Sequence, residues 1–431
     1  MGAPGWRGRG NDEWAGRLIG GAAGQQGRKA AGKRGRKVDV SEHDMTGGRM
    51  AEAFTAPLPP PALRVPGPAV QRILIAGGGT GGHLMPALAI ASALQAHAPG
   101  IEPVLIGATR GVESRILPTR DWRFHLLPTE PIYRRAWWRN FRWPFVAGRL
   151  LREVARVFET ERPAAVIGTG GYASGPVVWW AARNGIPTAI QEQNAYPGLA
   201  SRWLSRRVRH VYLGLPEARR LLRFGRATEV FDTGNPIAPP APERKTAAAA
   251  KFGLHGRRPV VLVTGGSQGA LAINRAIAGW LDAGGAATAT LIWVTGRGTH
   301  EEFARYHRPP HVHVLDFLDP MADGYAVADL VVSRAGMITV AELCAWGLPN
   351  VLIPLPTAAA DHQTHNARVL ASTGASLLLL QSELTPGSLG DIIDVMLADP
   401  GRRKQMRERA LARGRPNAAR EIVSKLLTLV T

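Results

Sequence analysis

The sequence is poor in several features that would define whole classes of protein. Its 431 residues include one cysteine, Cys344, which excludes a disulfide framework and a cysteine-based zinc site and is typical of a reducing compartment. No run approaches the roughly 18 apolar residues that cross a bilayer, and the first 30 residues lack the apolar segment of a secretory signal. Because Cys344 lies among apolar residues, we expect a buried hydrophobe rather than a catalytic thiol.

Negative charge is also scarce. The chain carries 53 lysines and arginines against 33 aspartates and glutamates, for a formal net charge of +20. An excess of this size indicates a polyanionic partner, which leaves nucleic acid, an anionic membrane and phosphorylated substrates as candidates. The length predicts two or three domains, and a hydrophobic content of 45% is sufficient for their cores.

The N-terminal region, residues 1–69, has little periodicity and is rich in glycine, arginine and proline. This composition predicts a disordered, basic and proline-rich extension. Two interpretations stay open for it. It is either an arm that binds nucleic acid or a dispensable tail upstream of the true start, since Met45 and Met50 both precede the folded region.

From Arg72 onward, short apolar segments alternate with helical patterns. This alternation predicts parallel, doubly wound sheets. A proline-rich break that begins at Thr233 separates two similar sets, so we expect one α/β domain over 70–234 and a second over 235–412. A final helix over about 402–429 is long enough to cross back, and the part over about 413–431 is expected to pack on the first domain. The predicted strands cover residues 73–76, 103–106, 164–168, 187–191, 259–264, 290–294, 312–315, 330–332 and 351–353.

A glycine-rich loop, GGGTGGH from Gly77 to His83, follows the first predicted strand and precedes a helix. Its G-x-G-x-x-G spacing matches a dinucleotide site, but that site needs an acidic residue at the end of the second strand. Here the second strand is followed by Gly107 and Ala108, and no acidic residue stands at its end. We therefore predict a backbone surface for a phosphate or pyrophosphate, with Thr80 as a hydroxyl donor; a plain tight turn is the alternative.

Two further small-residue loops follow predicted strands, GGSQG over 265–269 and GGY over 170–172. No lysine follows the first of them as in a P-loop, which argues against an ATPase. All three loops stand at the carboxyl ends of strands, where open α/β sheets bind their ligands. If the two domains face each other, the loops line one crevice.

His83 closes the first loop, where backbone amides converge. An imidazole with an unperturbed pKa near 6.5 suits removal of a proton from a sugar hydroxyl at neutral pH. His83 is therefore a candidate general base, and the alternative is a structural or surface histidine. At another strand end, Glu192, Gln193 and Asn194 are candidates to orient a polar substrate.

The stretch over 331–367 contains a strand, a tight turn of small residues and a helix over about 338–346. Unpaired N–H groups and the positive end of the helix dipole then converge on one spot and make an anion site. One turn into the helix is Glu342, whose carboxylate suits a ribose diol. The alternative is an ordinary βαβ unit with a solvated Glu342.

Aromatic and basic residues interleave from Pro131 to Phe158. Tryptophan enters the lipid headgroup layer and arginine pairs with lipid phosphates, so we predict that this stretch contacts an anionic membrane surface. Nucleic-acid stacking uses the same residue types, and a core helix with solvated arginines is a further alternative. No recognised nucleic-acid motif accompanies the stretch.

Six motifs, in this order and spacing, resemble the MurG family: GGGTGGH, GTGGYASGP, QEQNAYPGLASR, TGGSQGA, SRAGMITVAE and DHQTHNA. The resemblance extends from about Arg72 to the C-terminus. The family comprises bacterial GT-B glycosyltransferases with two Rossmann-like domains that face a central cleft. They move N-acetylglucosamine from UDP to lipid I, the undecaprenyl-diphosphate-linked muramyl pentapeptide, and so form lipid II for peptidoglycan.

The resemblance also implies a location and roles for particular residues. The location is the cytoplasmic face of the bacterial inner membrane, with peripheral attachment and with no nucleic-acid partner, metal or cofactor. The C-terminal domain would bind UDP-N-acetylglucosamine, with Ser267 at the diphosphate, Glu342 at the ribose hydroxyls and Gln363 at the sugar. His83 matches the base and Tyr172 lines the acceptor cleft. The other matched positions are the backbone near Leu318 at uracil, Met337, Ile338 and Thr339 at the phosphates and sugar, and Thr80, Gly81, Gly82 and Asn194 at donor or acceptor positions.

One position departs from the family pattern. Many relatives place an arginine two residues after the GNP motif, near the donor phosphates, and here that position is Ala238. Either another basic residue fills the role or the contact is missing.

The implied mechanism is an inverting displacement. His83, or a carboxylate near it, removes the proton of the C4 hydroxyl of the muramyl sugar, which attacks the anomeric carbon as UDP leaves. Helix N-termini and loop amides stabilise the diphosphate charge, and no obvious Asp-x-Asp metal motif is present. The alternatives are a GT-B transferase that acts on another lipid, such as diacylglycerol, and a binding protein built on an inactive transferase fold.

Overall fold

The computed structural model describes residues 70–129, 143–254, 256, 258–266 and 269–430, with side chains in the second range from residue 147 onward. The predicted extension over 1–69, Ser267 and the aromatic part of the stretch from Pro131 therefore lie outside the described residues.

The first domain is built on a parallel seven-stranded sheet in the order β3-β2-β1-β4-β5-β6-β7. Its central strands are short runs of branched apolar residues that are buried on both faces, as parallel sheets require. The strands are β1 (Gln71–Gly77), β2 (Ile101–Ala108), β3 (Phe124–Leu127), β4 (Ala165–Gly170), β5 (Thr188–Glu192), β6 (His210–Leu213) and β7 (Glu229–Phe231).

Helices cover both faces of this sheet. They are α1 (Gly81–His97), α2 (Glu113–Ile116), α3 (Trp143–Glu161), α4 (Gly171–Arg183) and α5 (Leu199–Leu204), with 3-10 turns at Leu117–Thr119 and Pro216–Leu221. One core lies between the sheet and α1, and the other lies between the sheet and the pair α3 and α4.

The second domain has a parallel six-stranded sheet in the order β10-β9-β8-β11-β12-β13. Its strands are β8 (Val260–Thr264), β9 (Thr290–Val294), β10 (Val312–Leu315), β11 (Leu330–Ser333), β12 (Asn350–Leu352) and β13 (Leu377–Leu378). Its helices are α6 (Lys245–Lys251), α7 (Leu271–Asp282), α8 (His300–Phe303), α9 (Ala322–Val327), α10 (Met337–Trp346), α11 (His362–Ser372), α12 (Pro386–Ala398) and α13 (Pro400–Arg413), with 3-10 turns at Pro242–Arg244, Ala304–Tyr306, Ala359–Asp361 and Gln381–Glu383.

The chain then returns to the first domain through α14 (Ala418–Leu427). Ile422, Val423 and Leu426 are buried in the core that also contains α1. The expectation of one continuous helix over 402–429 is wrong, because α13 ends at Arg413 and residues 414–417 are not helical. Gly414 takes an extended conformation and Pro416 removes a helix donor.

The predicted two-sheet α/β fold is confirmed. The nine predicted strands all form, while β3, β6, β7 and β13 were not predicted. Because each sheet is wholly parallel, the loops after β1, β4 and β5 meet at one edge of the first sheet, and those after β8, β10 and β11 meet at one edge of the second. These two edges hold the candidate site.

Candidate functional site

The glycine loop after β1 packs against the loop after β4. Gly79 has φ +92°, and its missing side chain makes room for the ring of Tyr172. Gly171 has φ +80°, and a Cβ atom there would collide with the carbonyl oxygen of Gly78. Two of the predicted loops are therefore in direct contact, and the half-buried Tyr172 fixes the shape of the first.

A buried carboxylate holds the same loop from the other side. Glu113, on α2, has no solvent exposure, and its Oε1 accepts from Gly79 N at 2.8 Å and from Ala108 N at 2.8 Å. Its Oε2 lies 3.0 Å from Gly79 N. The amide of Gly79 therefore cannot bind a phosphate while it donates to Glu113. The predicted phosphate surface is limited to the rest of the loop.

His83 lies in the first turn of α1, half-buried, with Nδ1 3.0 Å from Thr80 Oγ1. Its ring lies against Gly170, at the carboxyl end of β4. Burial and the nearby His362 of the second domain lower the pKa of His83 to about 4, against a smaller opposing effect of the Gly78 carbonyl. The His83 imidazole is therefore neutral at neutral pH.

The loop after β5 contacts the second domain through hydrogen bonds. Glu192 accepts from Asn194 N at 2.9 Å and from Gly198 N at 3.0 Å, which orders the loop. Asn366, fully buried on α11 of the second domain, donates from Nδ2 to Asn194 Oδ1 at 3.1 Å and accepts from Ala195 N at 3.0 Å. The predicted site residue Asn194 therefore lies at the junction of the two sheet edges.

A stacked pair reinforces that junction. Tyr196 and His365 stack with ring centroids 4.9 Å apart, and the guanidinium of Arg202 lies 5.3 Å from the Tyr196 ring centroid on its own domain. The two domains thus contact each other through side chains beside the cleft.

In the second domain, Glu342 lies one turn into α10 and is half-buried. Its Oε2 accepts from the hydroxyl of Tyr325 at 2.9 Å. Burial raises the pKa of Glu342 to about 7, although the hydrogen bond from Tyr325 opposes that rise. Burial and the Glu342 charge in turn raise the pKa of Tyr325. The hydrogen bond from Tyr325 uses one lone pair of this carboxylate, so its other lone pairs can accept from further donors.

The start of α10 faces open space. Gly336, its N-cap, has φ −66°, and a Cβ atom there would meet no atom within 4 Å. Ile338 and Thr339 are half-buried, whereas Met337 is 6% exposed. The unpaired N–H groups of a first helical turn are donors for an anion.

The remaining predicted residues are distributed around the same edges. Leu318 is buried after β10, so only its backbone can face a ligand. Gln363, at the start of α11, is half-buried and its Oε1 accepts from Leu355 N at 3.0 Å. Gly81 is half-buried, while Gly82 and Thr80 are exposed at the start of α1. Ala238 is exposed on the linker.

The motif reading missed three residues of this region, Glu113, Asn366 and Tyr325. Glu113 and Tyr325 belong to none of the six motifs. Asn366 lies within DHQTHNA, but its partners Asn194 and Ala195 are in the other domain. The buried Cys344 is confirmed as a hydrophobe, since burial raises the pKa of its thiol to about 12. Within the described ranges, no group of three or more histidine, cysteine or acidic residues is arranged to hold a metal ion.

The matching family models define the class of this protein as a two-domain glycosyltransferase. Models of the glycosyltransferase family 28 N-terminal and C-terminal domains match residues 73–213 and 260–422.

Curated relatives identify the family within this class. The UDP-N-acetylglucosamine--N-acetylmuramyl-(pentapeptide) pyrophosphoryl-undecaprenol N-acetylglucosamine transferase of Moorella thermoacetica is 37% identical over 370 residues, which cover 84% of this chain and 99% of the relative. The protein of the same name from Chlorobaculum parvum is 38% identical and covers 83% and 99%. A crystal structure of Acinetobacter baumannii MurG superposes with a TM-score of 0.67 at 28% identity, covering 83% of this chain and 99% of that one. The chain belongs to the MurG family.

Proposed function

We propose that this protein is a hexosyltransferase that moves N-acetylglucosamine from UDP-N-acetylglucosamine to the C4 hydroxyl of the muramyl sugar of lipid I and so forms lipid II. The observation that carries the proposal is the pairing of two half-sites. His83 lies at the edge of the first sheet and Glu342 at that of the second, and Asn366 joins the two edges. The other predicted site residues take the roles that the family resemblance implies.

The reaction follows from this arrangement. Glu342 accepts hydrogen bonds from the two ribose hydroxyls, and Gln363 contacts the sugar. Base chemistry requires the His83 tautomer in which Nδ1–H donates to Thr80 Oγ1, because the lone pair is then on Nε2. Nε2 takes the proton of the C4 hydroxyl as its oxygen bonds to the anomeric carbon, the bond from that carbon to the phosphate oxygen breaks, and UDP leaves with inversion.

Charge develops on the leaving diphosphate. The N–H groups at the start of α10 are the donors that we assign to it. The family resemblance also assigns the diphosphate to the 265–269 loop, where the amides of Gly266 and Gly269 already donate to Thr264 Oγ1 and to the Gly266 carbonyl. Ser267 belongs to that loop but lies outside the described residues. A diphosphate near His83 would also raise its low pKa, since an anion favours the imidazolium, and would make it a stronger base in the complex than in the free protein.

We also propose peripheral attachment to the cytoplasmic face of the inner membrane, through the stretch from Pro131 to Phe158. Only the second half of this stretch is described. There Phe158 is 8% exposed and belongs to the core, so it is not a lipid contact. Arg149, Arg152 and Arg156 are exposed on the opposite face of α3, where lipid phosphates would attract them.

A neighbouring surface supports this attachment. On and beside α5, Leu199 and Trp203 are 54% and 47% exposed. The guanidinium of Arg207 lies 4.6 Å from the Trp203 ring centroid. Exposed apolar side chains with arginines beside them are suited to an anionic headgroup layer. None of the described helices is both long enough and apolar enough to cross a membrane.

Transfer of labelled N-acetylglucosamine from UDP to a lipid I analogue, with and without EDTA, tests the proposal. Product that survives EDTA is expected. Product that is lost with EDTA would keep the reaction but contradict the assignment of the diphosphate to backbone donors alone. Donor binding without product, on lipid I and on diacylglycerol, would favour a binding protein, and product on diacylglycerol alone would favour another lipid transferase.

A further inference from the structure

Among the described acidic residues of the first domain, Glu113 is the most completely buried, and neither the motifs nor the proposed reaction uses it. Both carboxylate oxygens accept from the backbone, at 2.8 and 3.0 Å from Gly79 N, and Oε1 also accepts from Ala108 N at 2.8 Å. Hydrogen bonds to an ionised acceptor are roughly twice as strong as neutral ones. The carboxylate therefore ties the loop after β1 to the end of β2.

The surrounding sequence makes room for this carboxylate. A Cβ atom at Gly78 or at Gly111 would collide with its oxygen atoms, and one at Gly107 would collide with its side-chain carbons. Three glycines, one after β1, one within β2 and one in the loop after β2, therefore surround one acidic side chain. This close fit shows that the loop and the carboxylate are packed as a unit.

The held backbone leads directly to the proposed base. Gly79 is adjacent to Thr80, whose Oγ1 lies 3.0 Å from His83 Nδ1. Gly79 also has φ +92°, one of several conformations that glycine adopts without strain, so only a constraint from its surroundings holds the loop in this one. The Glu113 bonds to Gly79 N supply such a constraint, so they fix the position from which Thr80 orients the imidazole.

We infer that Glu113 is a positioning residue for the acceptor side of the reaction, because its buried carboxylate fixes the loop that carries Thr80 and His83. The inference rests on the proposed function as far as turnover is concerned. It also makes a claim about the imidazole of His83 that holds without any substrate.

The kinetic test is Glu113→Gln, which keeps the shape and one acceptor oxygen but loses the charge and the second acceptor. We expect kcat/KM for the lipid I analogue to fall by about 10- to 100-fold, the scale of a misplaced catalytic group. The Kd for UDP-N-acetylglucosamine should change less than about twofold, since the donor half-site is in the other domain.

Glu161→Gln is the matched control. Glu161 is also a buried carboxylate of the first domain, 2% exposed, but it bonds to Arg123 at 3.0 Å and to His125 at 2.7 Å near the start of β1. It should lower the thermal midpoint without separating acceptor kinetics from donor binding. Equal kinetic effects of the two variants would overturn the inference.

The substrate-free test is the nitrogen NMR signal of the His83 ring. Glu113→Gln should shift the Nδ1 resonance and Glu161→Gln should leave it in place; no shift in the first variant would overturn the inference. If Glu113→Gln does not fold, Gly111→Ala displaces the carboxylate and keeps it in the chain, and the same readouts apply. Wild-type protein that fails to transfer sugar would contradict the proposed function and leave this test intact.

Discussion

The glycines Gly78 and Gly79 of the first half-site and Gly336 of the second differ in what surrounds them. In the first domain, Gly78 and Gly79 leave space that Glu113 and Tyr172 of the same protein already occupy. In the second domain, Gly336 precedes α10 and faces open space. The acceptor loop is thus shaped by internal packing, whereas the donor helix leaves its first turn accessible to a ligand. Substitutions at Gly78 or Gly79 should therefore disturb the loop itself, and a substitution at Gly336 should disturb only what binds there.

Gly171→Ala should give the largest effect. Its φ of +80° strains any other residue, and the new methyl group would collide with the Gly78 carbonyl. We expect a loss of stability of about 1–3 kcal/mol and a fall of about 100-fold in kcat/KM for the acceptor, measured by thermal unfolding and by transfer assays. Gly175→Ala on the same helix, where the nearest atom is 4.0 Å away, should have neither effect; if it does, packing of the loop is not the cause.

Glu342→Gln should weaken donor binding without unfolding the protein. Loss of an ionised acceptor for the ribose hydroxyls costs about 1.5–3 kcal/mol, or roughly 10- to 100-fold in the Kd for UDP, measured by calorimetry above the raised pKa of Glu342, which is about 7. Tyr325→Phe is the control, because it removes only the hydroxyl that bonds Glu342. An unchanged Kd in Glu342→Gln would mean that the ribose lies elsewhere.

Asn366→Ala tests the connection between the halves. It leaves Ala195 N without its partner and removes the bond to Asn194, so we expect about 1–3 kcal/mol of destabilisation. A double-mutant cycle with Asn194→Ala should give a coupling of about 0.5 kcal/mol or more. Additive effects in chemical unfolding would show that the two side chains do not interact in solution.

Gly336→Ala should have a smaller effect than these, and only on the donor. Its φ of −66° suits alanine and no atom lies near the new methyl group, so stability should stay the same or rise by about 0.4–1 kcal/mol. If a phosphate binds against this backbone, KM for the donor should still rise. An unchanged KM would place the diphosphate away from Gly336.

The pH dependence of donor binding is the finest test. The pKa of Glu342 is raised from 4.5 to about 7, so the folded protein binds this proton more tightly than the unfolded chain does. Its contribution to stability therefore decreases as the pH rises from 4.5 to 7, while the carboxylate that the ribose needs becomes available. In the wild-type protein, donor affinity should increase from pH 6 to pH 8. In Glu342→Gln it should depend little on pH, and an equal pH dependence in the two proteins would contradict this assignment.

The sequence alone determined the two-sheet α/β fold, because β1 and β8 contain the apolar runs 73–76 and 260–263 and each strand leads into a glycine-rich loop. It also named His83 and Glu342 as candidate site residues, since each follows a strand and a turn of small residues. Those patterns are local. They indicate structure because apolar side chains repeat at one spacing along a strand and at another along a helix.

The tertiary structure decided what lies beside these residues. Glu113 reads as one acidic residue in a short helix, and only the fold brings its carboxylate to Gly79 N, which is 34 residues away. Asn366 and Asn194 are separated by 172 residues and meet because the two sheet edges face each other. The pKa values of His83 and Glu342 likewise depend on burial, which no local pattern specifies, because desolvation is set by every segment that packs around a group.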